Sequence, residues 1–180
     1  MSPSELARPL ALLQDLSGAF HRSIVSKDRC VDDCNGFATA LVLRAMRHYS
    51  AAPELEALRQ RALDFLESCA SPQLPGAFGF WPLSQRPAWA CRVPADIDDT
   101  AVINLEPAIH GRRSLIDVQR VFYEVLLPNL LVDVDPYGPP WMIPLVFPTW
   151  LAPDSQHRPN PVDCCVNTNV LALMAYAGLT

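Results

Sequence analysis

Asp96, Asp98 and Asp99 put three carboxylates within four residues, between Val93-Pro94-Ala95 and the apolar run that opens with Thr100-Ala101. Crowded carboxylates cannot all ionise cheaply, so one of them keeps its proton near neutral pH and can serve as a general acid. Pro94 biases Ala95 towards an extended backbone, which lets a helix start here but not arrive from upstream. With Asp96 as N-cap, Asp99 stands at N3, and the two make an acidic form of the capping box. Asp98, at N2, has no capping task. It is the carboxylate left over for chemistry.

Such a cluster needs a helix beneath it and apolar walls around it. The helix runs from Asp98 to His110, with Pro107 kinking or shortening it. Upstream, the spacing of Leu6, Leu10, Leu13 and Leu16 predicts a helix over 4–16, and a short one fits 18–26. Residues 28–33 read as a polar break. A helix over 35–49 puts Phe37, Leu41, Arg44, Ala45 and His48 on one face, and Pro53 opens another that ends near Cys69. Ser114 to Leu127 is the next, stopped by Pro128. The last runs from about Cys165 to Tyr176, with Gly178 as its terminator. Residues 71–95, rich in Pro, Gly and Trp, make one long loop. The stretch 128–161, with nine of the 18 prolines, makes a second.

Three helix starts resemble one another: Val31-Asp32-Asp33-Cys34-Asn35-Gly36, Ala95-Asp96-Ile97-Asp98-Asp99-Thr100 and Val162-Asp163-Cys164-Cys165-Val166-Asn167. Each places an Asp before a helix of small and aliphatic side chains, and the first two are followed by a more amphipathic helix. Alternation of apolar and amphipathic helices reads as an inner and an outer layer. The expectation is an all-α fold, an α/α toroid or partial toroid of helical hairpins, in a single domain spanning 1–180. A closed ring of six hairpins takes on the order of 240 residues, so this chain holds three. Their unpaired flanks predict a homo-oligomer or a partner chain.

Asp96-Ile97-Asp98-Asp99-Thr100-Ala101 resembles the Asp-x-Asp-Asp-Thr-Ala signature of class II terpene cyclases, squalene–hopene and diterpene cyclases among them. The resemblance implies an α/α toroid whose inner helix presents this signature to an apolar cavity. It implies that Asp98 is the Brønsted acid that protonates a double bond of an isoprenoid, tuned by Asp96 and Asp99. A helix N-terminus favours the anion left behind, water must be excluded, and ring faces can screen a carbocation. Phe80, Trp81, Trp89, Trp141 and Trp150, in the two loops, are the candidate substrate-binding aromatics, although the same rings also suit packing between hairpins. Asn167 is a further candidate, because the repeat puts it at an equivalent helix end, where Asp163 is best read as a cap. No Asp-Asp-x-x-Asp motif supports magnesium-assisted ionisation of a diphosphate, and Asp133-Val134-Asp135 suits a turn.

Composition narrows the alternatives. Hydrophobic residues make up 50% and charged ones 18% of 180 residues, enough for a core and too apolar for disorder. A net charge of −5 with scattered arginines argues against a nucleic-acid surface. No run of about 18 apolar residues offers a membrane span, and no leader pattern opens the chain, so the cytoplasm is expected. Cys30, Cys34, Cys69, Cys91, Cys164 and Cys165 match no standard zinc spacing and read as buried apolar thiols; neither metal nor cofactor is expected. His48 reads as a packed histidine and His110 as a helix C-terminal cation. The competing function is a non-catalytic α/α module that binds an apolar ligand or a partner protein.

Overall fold

A computed structural model describes residues 3–26, 29–49, 52–133, 140, 143–151 and 160–179. Among these residues the main elements are six α-helices and one two-stranded antiparallel sheet: α1 (Pro3–Leu13), β1 (His21–Ser26), β2 (Arg29–Cys34), α2 (Gly36–Met46), α3 (Glu56–Ser68), α4 (Ile97–Ile109), α5 (Leu115–Val121) and α6 (Cys164–Ala177). The fold is therefore mixed, and the expected all-α toroid is not what the chain forms. Among the described residues no helix is long and apolar enough to cross a membrane. Two compact units divide the chain: Met1–Cys69 with Phe80–Arg86, and Ala70–Gly79 with Pro87–Thr180.

In the first unit, β1 and β2 pair from His21↔Cys34 to Ser26↔Arg29. Their sequences carry Ile24, Val25 and Val31 and are separated by two residues, as hairpin strands commonly are. This hairpin replaces both the helix expected over 18–26 and the polar break over 28–33. It also removes the first member of the repeat, since Val31 to Cys34 is strand. Asn35 then caps α2, its Oδ1 accepting from Ala38 N at 2.7 Å. The buried side of α2 is Gly36, Thr39, Ala40, Leu43 and Met46. Leu41 faces out, so the face inferred from Phe37 and Leu41 is turned away from the core. Aliphatic residues on several sides of this helix left its period ambiguous.

The first unit's core is closed by Phe20, Leu43, Leu55, Leu63, Phe65 and Leu66. Gly18, at φ +97°, carries the turn between α1 and β1; a Cβ there would lie 2.2 Å from the Arg61 carbonyl oxygen. Only glycine fits both the angle and the approach. Asp33 is tied on every side, accepting from Trp81 Nε1 at 2.8 Å, Arg22 Nε at 3.1 Å and Asn35 Nδ2 at 2.5 Å.

The second unit is built on α4, α5 and α6. Ile97, Ala101, Leu105 and Ala108 of α4 share one core with Val166, Val170, Leu173 and Ala177 of α6, joined by Val118, Val121, Phe122, Val125 and Leu126. Asp98 contacts Asn169, and Ala108 contacts Tyr176, so α4 and α6 run parallel with their N-termini at one end. Ser114 and Asp117 form a reciprocal capping box at α5, which continues through a π turn at Phe122–Leu126. Pro107 does not end α4, which continues to Ile109.

Candidate acid site

Three loop segments meet at the start of α4. Asp96 N donates to Phe78 O at 3.2 Å, Ile97 N to Thr149 O at 2.9 Å, and Leu151 N to Ala95 O at 3.1 Å. Short β-bridges join Ala70 to Phe78, Phe78 to Asp96 and Asp96 to Trp150. The two proline-rich loops thus carry the backbone partners of this helix end, as the need to satisfy buried peptide groups requires. Below it, Asp96, Thr100 and Asn104 lie one turn apart along α4. Thr100 Oγ1 accepts from Phe78 N at 3.0 Å, and Asn104 Nδ2 donates to Gly76 O at 3.0 Å. Arg113 donates to Asn104 Oδ1 and lies 5.0 Å above the Phe78 ring.

Asp96 is the N-cap, its Oδ1 accepting from Asp99 N at 2.6 Å. The capping box stops there, because the Asp96 N–H is already bonded to Phe78 O. Asp99 is consequently released from capping. It is 1% exposed, and neither carboxyl oxygen has a well-aligned hydrogen-bond partner among the described residues. Burial first, then the charges of Asp96 and Asp98, hold its proton well above the usual carboxylate range. Asp96 is pushed up to about 6, chiefly by burial and against the bond from the Asp99 N–H.

Asp98 differs from both. It is half-buried, and its Oδ1 accepts from Asn169 Nδ2 of α6 at 2.7 Å. It is therefore not a spare group without a partner, and the carboxyl without a structural task is Asp99. Of the three, Asp98 alone combines a fixed orientation with access from outside.

The remaining candidates divide. Trp150 lies beside Asp96 through its backbone, which Asn160 brackets by accepting from Trp150 N at 2.8 Å and donating to Trp150 O at 2.9 Å. Asn167 does the same for Phe147, at 2.8 and 2.9 Å, and also donates to Asp163 O. Both faces of that amide are spent on holding a loop. Trp89 is 74% exposed on the short turn Ala88–Ala90. Phe80 and Trp81 belong to the first unit, where they pack edge to face at 4.5 Å and Trp81 binds Asp33. Trp141 lies outside the described residues. Asp163 caps α6, accepting from Cys165 N at 2.6 Å. The thiols correct the expectation of burial, since only Cys69 is buried.

No family model, curated protein or solved structure matches the chain.

Asn169 is the partner of the carboxylate cluster that motif reading missed. Its signal is the polar triplet Asn167-Thr168-Asn169 inside an otherwise apolar helix.

Proposed function

We propose that Asp96, Asp98 and Asp99 form a Brønsted acid centre that protonates a carbon–carbon double bond of an isoprenoid and so starts its cyclisation or isomerisation. The observation that supports this most is Asp99: a carboxyl buried against two others, off the capping network, whose proton is held well above the usual carboxylate range. Asp98 is the group that touches substrate, with Asn169 fixing its orientation. Its carboxyl O–H bond breaks as the alkene takes the proton, leaving a carboxylate and a carbocation. The N-terminus of α4 favours that carboxylate. The raised carboxyl of Asp99 favours its neutral form and so limits the negative charge that builds up. Loss of a proton from the cyclised cation returns the acid, so the reaction is an isomerisation that consumes no cofactor. The six-residue likeness to class II terpene cyclases points to the same chemistry. All six cysteines are free, which suits a reducing compartment such as the cytoplasm.

The test compares wild type with Asp98→Asn against a panel of linear isoprenoids, read by mass spectrometry. The amide keeps the shape and the Asn169 contact but loses the transferable proton. Cyclised product from wild type and none from Asp98→Asn supports the assignment; turnover that survives in Asp98→Asn removes it.

A second reading rests on Leu115, Ile116, Tyr123 and Leu171, large apolar side chains exposed on the second unit. They suit a module that associates with a partner chain or a second copy of itself. Light scattering of the wild type distinguishes an oligomer from a monomer, and a module of this kind shows no turnover with any isoprenoid.

A further inference from the structure

Asp15, His21 and Cys34, all in the first unit, bring a carboxylate, an imidazole and a thiol to one place, with ligand atoms within 4.8 Å of one another. The register of the hairpin produces half of this: His21 and Cys34 are directly opposed across β1 and β2, so their side chains leave the same face. Their Nδ1 and Sγ atoms are 3.4 Å apart. A tetrahedral zinc ion with Zn–S of about 2.3 Å and Zn–N of about 2.0–2.1 Å sets such a pair roughly 3.5 Å apart. The spacing fits.

Asp15 completes the trio from the turn that Gly18 makes possible. Its Oδ1 accepts from Ser17 Oγ at 2.6 Å and from Ala19 N at 3.1 Å. Those two bonds orient the carboxylate, which also meets the Cys34 thiol, as outer partners orient metal-ligating carboxylates. The trio does not suit a nucleophile–base relay, because the carboxylate lies against the thiol, whereas an orienting acid belongs on the far nitrogen of the imidazole. Asp32, two residues before Cys34 on the same face of β2, adds negative charge. The mixture of sulfur, nitrogen and oxygen donors suits zinc and disfavours magnesium and calcium, which take oxygen ligands.

We propose that Asp15, His21 and Cys34 bind one zinc ion, with the fourth position open to water because His21 is exposed and the other two are only half-buried. The assignment is independent of the acid centre, which lies in the other unit. Asp163, Cys164 and Cys165 are a second, fully exposed group, three consecutive residues at a helix start, and serve as the background to remove.

The test uses the full chain carrying Cys164→Ser and Cys165→Ser, under reducing conditions, titrated with zinc in competition with a chromogenic chelator and with cobalt(II) as a spectroscopic probe. The expected result is one zinc per chain, a sulfur-to-cobalt charge-transfer band, and a higher melting temperature with zinc than with chelator. Cys34→Ser should abolish the band. His21→Ala and Asp15→Asn should each weaken zinc by about 100-fold or more, the latter while keeping the bonds from Ser17 and Ala19 to its amide oxygen. Absence of binding in this background, or affinity unchanged in His21→Ala or Cys34→Ser, overturns the site. Circular dichroism of each variant separates lost ligands from lost fold, and a folded His21→Ala, exposed in the hairpin, decides the matter if Cys34→Ser is unstable.

Discussion

Asn169 donates from Nδ2 to Asp98 Oδ1 at 2.7 Å, a contact between α6 and α4 spanning 71 positions of sequence. It fixes the orientation of the one half-exposed carboxyl of the cluster. Replacing Asn169 with Leu removes the donor and leaves Asp98 to turn towards water. Because the bond is partly buried, stability should fall by about 1–2 kcal/mol. Turnover of an isoprenoid should fall by a larger factor than the change in folded population explains. Urea unfolding and steady-state kinetics on the same preparation separate the two.

The raised carboxyls give stability a distinctive pH dependence. Asp96 is held at about 6 when folded, against an ordinary 3.8, and Asp99 is also held well above 3.8. Between those limits the folded state binds more protons than the unfolded one. Their contribution is therefore full below about pH 4 and is lost as pH rises through 6 and beyond. For Asp96 the loss is on the order of 3 kcal/mol. Asp15 and Asp117, held low by hydrogen bonds, act in the opposite sense and lose their contribution in acid. The difference between wild type and Asp99→Asn isolates the cluster. Asp99→Asn should gain stability relative to wild type as pH rises from 5 to 8 in chemical denaturation; a difference independent of pH contradicts the assignment.

Gly18 and Gly111 both have positive φ, at +97° and +74°, yet only Gly18 has backbone against it. Gly18→Ala should cost about 3 kcal/mol or more, from strain plus collision with the Arg61 carbonyl. Gly111→Ala, with nothing within 4 Å, should cost about 1 kcal/mol. Equal effects in thermal melts would show that the turn before β1 yields easily, and the Asp15 carboxylate would then lose its rigid support.

What the sequence makes legible here depends on how local each cause is. Asp96 as a cap, Pro53 near the start of α3 and Gly178 at the end of α6 act on their own neighbours, and these boundaries are readable to within a few residues. The hairpin was not, because a helix and a strand compete closely over His21–Ser26 and the pairing with Arg29–Cys34 decides between them. The roles of the three carboxyls were only half readable. A complete capping box needs the Asp96 N–H free, and Phe78, 18 residues earlier, takes it. That single long-range bond turns Asp99 from a cap into a buried acid. The tie from Asn169 makes Asp98 the oriented one. No spacing rule carries either fact, since both arise from packing of loops and helices that are distant in the chain.

Protonation of an alkene leaves a mark that binding cannot imitate. Wild type incubated in D2O with a linear isoprenoid should release a cyclised or isomerised product carrying one solvent-derived deuterium at the carbon that received the proton. Asp98→Asn, folded by circular dichroism, should release none. Product without deuterium from wild type, no product from any isoprenoid of the panel, or labelled product from Asp98→Asn would each contradict an acid centre that acts through Asp98.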